Sequence, residues 1–447
     1  MRLPLSFGWC LAAILAAALV LRLGAGVWWQ SRLPEGKKFA FGDSESYWEL
    51  GRTIARGQPY EYGLDRLKIF RTPGYPAVLA PLFLLRDEPP VIWGRAVSAM
   101  LSMAAVGGVA WLGWLLFDQW TALIAAVIAA VYPEAIALGT FVLSEAPFVP
   151  LMMLNLIFWT LAWRAKDQQR IVGWSLVAGA ASGLATLMRP SWLLFIPFAS
   201  LIGIVASIGQ WNAIEGIPFG AWRRHCIIGG FMLVGLCLTM TPWWIRNYRV
   251  AGRFVPTSLQ IGASLYDGLS PIATGASNMN FVGEFVAARR TADAQPGADL
   301  RGLPEDRLDR RLKNAALDWA RQHPGRVAEL VLIKFTRMWS LLPNATEFQS
   351  TTLRLILAFT YTPVILLALL GAWRFARRDW PYLLCVLPAV YFTCLHVIFV
   401  SSIRYRQPAM LPLIVLAAAV VTHWLTSRMA QGANASRSPS RPPPPAS

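Results

Sequence analysis

The chain has 447 residues, 55% of them hydrophobic and 15% charged, and carries 41 Lys and Arg against 24 Asp and Glu, a net charge of +17; its mean hydropathy is +0.45. So few charges cannot cover a water-soluble protein of this size, which excludes an ordinary soluble enzyme and indicates an all-α polytopic membrane protein whose helices satisfy their own backbone amides. The surplus of base flanks apolar runs, so anionic headgroups and phosphates are the expected partners, and nucleic acid is not.

About 20 apolar residues cross a bilayer. In chain order, about ten spans are expected on this measure, near 7–29, 92–114, 119–138, 141–163, 171–188, 191–209, 226–245, 353–373, 381–400 and 408–426. The first is too long for a signal-peptide core and is expected to be retained. The third and fourth are separated only by the turn around Tyr132, Pro133 and Gly139. Short loops holding Arg164, Lys166 and Arg170, then Arg223 and Arg224, then Arg374, Arg377 and Arg378 fall on one side, which the positive-inside rule makes the cytoplasm. The long loops 30–90 and 246–352 then lie outside. Residues 427–447, rich in Pro, Ser and Arg, read as a disordered cytoplasmic tail.

The outer loops have structure of their own. Residues 44–57 are expected to form a surface helix with Ser44 as N-cap and Gly57 at its end. In the second loop, two helical stretches break at His323-Pro324-Gly325. The second, from about Arg326 to Leu341, is amphipathic, with Lys334 and Arg337 beside Phe335 and Trp339, and suits the membrane interface. Trp28, Trp29, Trp243 and Trp244 at span ends read as an interfacial belt. The five cysteines are scattered without a CxxC, which fits small buried hydrophobes.

Polar residues that could carry chemistry gather on the outer side. "FGDSESYWEL" places Asp43, Glu45 and Glu49 just beyond the first span. A carboxylate near the headgroup plane suits a general base for an incoming hydroxyl or amine; a helix cap or solvated loop acid is the plainer reading. "FRTPGYPAVLAPLF" follows, with Arg71 after Lys68 and before a rigid Pro73-Gly74 turn. A cation held there suits a lipid phosphate, or is a snorkelling arginine. "YPEAIALGTFVLSEAPF" sets Glu134 and Glu145 in apolar sequence, either as site residues or as structural partners of arginines. Arg189, Arg246 and Arg404, with Asn247, Arg249, His396, Tyr405 and Arg406, lie at outer ends of later spans. A structural protein has no need of this convergence; a site for an anionic, lipid-linked substrate does. No Gly-rich phosphate loop or metal-ligand spacing occurs, so neither a nucleotide-sugar site nor a metal is called for.

In this order and spacing, "GDSESYWELGRTIARGQPY", "RTPGYPAVLAPLF", "VYPEAIALGTFVLSEAPF", "GLATLMRPSWLLFIP", "TPWWIRNYRVAGRFVPTSLQIGASLYDG", "ALDWARQHPGRVAELVLIKFTRMWSLLP" and "RYRQPAMLPLI" resemble the polytopic glycosyltransferases of the GT-C superfamily. The chain resembles in particular the bacterial relatives of protein O-mannosyltransferases and of the lipid A aminoarabinose transferase, over about residues 1–426. The resemblance implies a GT-C fold with juxtamembrane helices in the large outer loops. It implies a sugar donor on a polyprenyl phosphate and a glycan, lipid or protein acceptor on the outer face of a bacterial cytoplasmic membrane. Carried over, Asp43 is the base, assisted by Glu45. Arg71, with Lys68, takes the place that grips donor phosphate, and Glu145, Arg189, Arg246, Arg404 and Tyr405 occupy substrate-binding positions. Ser44 parts Asp43 from Glu45 where relatives have adjacent acids, and Phe70-Arg71-Thr72 stands where the aminoarabinose enzymes have Glu-Lys. These departures leave the sugar, the acceptor and a first-loop divalent metal open. The alternatives are a lipid-linked sugar flippase, a surface-polysaccharide ligase or polymerase, and a non-catalytic assembly subunit.

Overall fold

The computed structural model describes residues 6–63, 65–208, 221–293, 304–343 and 350–435. Among them there is no sheet; one isolated antiparallel bridge joins Tyr62 and Leu67. The first span, α1 (Phe7–Ser31), leads to a surface helix α2 (Gly42–Ala55) and a short apolar helix α3 (Gly74–Leu85). The membrane bundle continues with α4 (Val91–Leu116), α5 (Gln119–Val131), α6 (Pro133–Thr140), α7 (Glu145–Arg164), α8 (Gln168–Met188), α9 (Phe195–Ile208) and α10 (Trp222–Ala251). The second outer loop carries α11 (Ile261–Gly268), α12 (Val282–Asp293), α13 (Pro304–Gln322) and α14 (Pro324–Met338). The chain re-enters through α15 (Thr351–Phe375), α16 (Trp380–Leu384), α17 (Leu387–Ile398) and α18 (Ile403–Ala435).

Among the described residues, nine helical segments are long and apolar enough to cross a membrane, or ten if the bent α5–α6 pair is one span. That pair corrects the expected third span, which breaks at Pro133 with a bend of 61°, and the fourth begins at Glu145 rather than 141. Proline supplies no N–H to the carbonyl four residues back, so the end of α5 is left with free carbonyls. Arg22 of α1 takes them: its guanidinium donates to the carbonyls of Ala129 and Ala130 at 3.1 and 3.0 Å and to Ser102 Oγ at 2.8 Å. A buried cation thus serves as the cap of a broken helix.

Close backbone approach holds the centre of the bundle. A Cβ at Gly179 of α8 would stand 2.0 Å from Met232 O of α10, and one at Gly235 of α10 would stand 2.2 Å from Leu176 O. Without those side chains the two helices meet backbone to backbone, as small residues permit in membranes.

The expected surface helix is present as α2, but it starts at Gly42. Ser44 is therefore inside it and buried, not its cap; beyond its end, Gly57 adopts φ +61°. The break at His323-Pro324 separates α13 from α14. Lys334 of α14 departs from the interfacial reading. It is fully buried and donates to Ile398 O at 2.7 Å, while Leu332 and Phe335 form the exposed side. Trp28 is exposed as a belt residue would be, whereas Trp243 is buried and donates to Thr257 O at 2.7 Å, pinning the start of the second outer loop. The last helix runs past 426 to Ala435, and the rest of the expected tail, 436–447, lies outside the described residues.

Candidate active site

Four helix ends deliver charge to one place. Asp43 sits in the first turn of α2, Glu145 is the first residue of α7, Arg189 follows the last residue of α8, and Arg404 lies in the first turn of α18. Helix N-termini favour the two carboxylates, and Pro190 stops α8 beside Arg189. Arg71, just before α3, completes the set.

Arg71 donates to Asp43 Oδ1 at 2.6 Å, to Ser46 Oγ at 3.1 Å and to Gln260 Oε1 at 2.9 Å, with its guanidinium 5.2 Å from the Tyr47 ring centre. Arg404 reaches the other oxygen, Asp43 Oδ2, at 3.3 Å and forks onto Glu145 at 2.5 and 3.1 Å. Arg189 lies 2.5 Å from Glu145 Oε1, and its guanidinium is 5.3 Å from the Tyr405 ring centre. Tyr405 stacks on His396 at 4.2 Å, so this histidine packs and orients rather than standing free. Three guanidiniums thus face two carboxylates, one positive charge in excess. Burial pushes the Asp43 carboxyl up, but Arg71 and Arg404 outweigh it and hold it below the usual carboxylate range.

Beside this cluster a largely apolar cavity of about 560 Å³ opens between α1, α6, α14, α15 and α18, with Arg404 and Tyr405 of the cluster in its lining. Trp28, Trp29, Phe141 and Leu357 form part of its apolar wall, and Glu134, Arg337, Arg404, Tyr405 and Gln407 are among its polar lining.

Residues 71–215 match the family model for dolichyl-phosphate-mannose-protein mannosyltransferases, which is less than half of the chain. No curated protein matches the sequence. Among solved structures, the archaeal oligosaccharyltransferase AglB from Archaeoglobus fulgidus, in complex with an inhibitory peptide and a dolichol-phosphate, superposes with a TM-score of 0.57 at 14% identity, over 97% of this chain and 52% of that one. The apo form of the Archaeoglobus fulgidus oligosaccharyltransferase gives 0.57 at 16% identity, over 96% and 52%. This chain therefore spans about half the length of those proteins. It has the GT-C fold.

Within that GT-C fold, Asp43, Arg71, Glu145, Arg189, Arg404 and Tyr405 lie together. Three other expected site residues do not join them. Glu45 is exposed on α2. Lys68 turns its ammonium to Glu61 at 3.8 Å, although its backbone N–H, like that of Ile69, is held by Glu305 at 3.0 Å. Arg246 packs against Tyr60 and Trp243 and donates to Tyr60 O at 3.2 Å, one layer behind Arg71, whose carbonyl accepts from Tyr60. Glu134 serves structure: it pairs with Arg406 at 3.0 Å, and the Tyr132 hydroxyl donates to it. Among the described residues no group of three or more His, Cys, Asp or Glu is placed to hold a metal. Ser46, Gln260 and Gln407 were not singled out from the sequence. The signal for the first and last was spacing, since Asp43/Ser46 and Arg404/Gln407 are i,i+3 pairs.

Proposed function

We propose that the protein is a glycosyltransferase that moves a sugar from a polyprenyl-phosphate-linked donor to an acceptor on the outer face of the cytoplasmic membrane. The observation that carries this reading is the apolar cavity ending on a cluster with one surplus positive charge. An isoprenoid chain fits the wall and a phosphate fits the head. The neighbouring AglB structure contains a dolichol-phosphate, which has the same two parts.

In this reading the donor phosphate competes for the guanidiniums of Arg71 and Arg404, each of which spends a hydrogen bond on Asp43. As they turn to phosphate, the carboxylate loses the cations that kept it a weak base. Asp43 then takes the proton from the acceptor hydroxyl or amine. The acceptor atom bonds to the anomeric carbon, the bond from that carbon to the phosphate oxygen breaks, and polyprenyl phosphate leaves with the negative charge, which Arg71 and Arg404 stabilise. Attack opposite the leaving group inverts the anomeric centre. Glu145 stays paired with Arg189 and holds Arg404 in line.

Purified protein in nanodiscs, given polyprenyl-phosphate sugars and candidate acceptors, tests this. Transfer by the wild type that falls at least about a hundredfold in Asp43→Asn is expected. Transfer at the wild-type rate by that variant would remove Asp43 as base. Movement of lipid-linked sugar across a vesicle membrane with no transfer would replace the enzyme with a flippase.

A further inference from the structure

One buried polar side chain beside the site has no role in the cluster just described. Gln407 is 4% exposed, and neither its Oε1 nor its Nε2 has a hydrogen-bond partner among the described residues. An amide buried in this way without partners is costly and is found where something else satisfies it. Its place is informative. It stands one helical turn below Arg404 on the same face of α18, and it lines the large apolar cavity. It also lines a second, small chamber of about 20 Å³, whose other polar walls are Arg22, Ser102 and Glu145. That volume holds about one water molecule. Gln407 therefore borders both spaces with an unpartnered amide.

We infer that Gln407 reads the junction between phosphate and isoprenoid in the bound lipid, donating a hydrogen bond to a phosphate oxygen. This deepens the donor reading above and rests on it. An isoprenoid chain offers no acceptor at the depth of Gln407; the phosphate held by Arg404 does, because the two side chains are successive along one helix face. A site with such a group discriminates against a ligand that lacks the matching atom, since the amide then stays unpaired. Gln407 thus adds selectivity for a polyprenyl phosphate over the corresponding alcohol, beyond what the guanidiniums supply.

The test uses the full chain in nanodiscs with two probes, undecaprenyl phosphate and undecaprenol, and two near-isosteric variants, Gln407→Met and Gln407→Leu. Binding is measured by native mass spectrometry and stability by thermal unfolding of the ligand-free protein. The expected result is a loss of roughly tenfold or more in affinity for undecaprenyl phosphate, unchanged affinity for undecaprenol, and an unfolding temperature equal to or above that of the wild type. Equal phosphate binding by variants and wild type overturns the assignment while leaving the donor reading intact. A lowered unfolding temperature with equal losses for both probes makes Gln407 structural and also overturns it. If the wild type itself does not prefer the phosphate to the alcohol, the donor reading fails and this inference fails with it.

Discussion

Arg404 grips Glu145 with two parallel hydrogen bonds, Nε to Oε1 at 2.5 Å and Nη2 to Oε2 at 3.1 Å, and Glu145 is wholly buried at the start of its helix. The same carboxylate neutralises Arg189. Removing its charge leaves Arg189 without a carboxylate and Arg404 with only its 3.3 Å contact to Asp43. Breaking a buried pair in this way costs about 3–5 kcal/mol, so Glu145→Gln is expected to lower the unfolding temperature clearly and to abolish sugar transfer. A variant that unfolds within a degree of the wild type would show that the pair is solvated and does not organise the site.

The Asp43 carboxyl is held low by Arg71 and Arg404, and the proposed base must be ionised. Activity is then present above its pKa and lost as pH falls through it. The acid limb of kcat/KM reports the free enzyme and should lie below the usual carboxylate range. The limb of kcat reports the complex, in which the two arginines have turned to phosphate, and should lie higher. Coincident limbs in a pH–rate profile would contradict the exchange of partners.

Lys334 gives a separate pH signature. Burial pulls its ammonium down to about 8, with Asp267 opposing. Unfolded, it titrates near 10.5. Between those values the unfolded chain binds a proton that the folded chain has released, so stability rises with pH across that window, and the cost of the buried charge is fully present below it. The unfolding temperature of wild type minus that of Lys334→Met should therefore increase between pH 8 and pH 10. A flat difference would place the ammonium in contact with water.

The spans were readable because lipid demands long apolar helices, and nothing in water competes with that pattern. The charged members of the cluster were readable because a charge in apolar sequence is rare and needs a partner. What was hidden depends on contacts between distant segments. Nothing in the first span alone says that Arg22 will cap a helix broken more than a hundred residues later. Lys68 and Arg246 have the same charge and outer location as Arg71. Only the path of the loop decides that Lys68 turns to Glu61 and that Arg246 stacks behind Tyr60. Neutral residues such as Gln260 and Gln407 carry no compositional flag at all.

Gly74 ties that loop to the bundle and gives the sharpest test of how Arg71 is placed. It opens α3, where a Cβ would stand 2.6 Å from the carbonyl carbon and oxygen of Leu187 and 2.8 Å from Met188 Sδ. The close approach sets the end of α3 that follows Arg71 against the end of α8 that precedes Arg189. In Gly74→Ala the backbone contact cannot be relieved by turning a side chain, so α3 must withdraw. Overpacking of this kind costs about 1–3 kcal/mol. The effect on catalysis should be larger in proportion, because Arg71 meets Asp43 across 2.6 Å and a shift of about 1 Å in a positioned group can cost about a hundredfold in rate. Turnover should thus fall by roughly two orders of magnitude in a protein that still folds. Full turnover in a folded Gly74→Ala protein would mean that Arg71 is placed by Ser46 and Gln260 and not by the seat of α3 on α8.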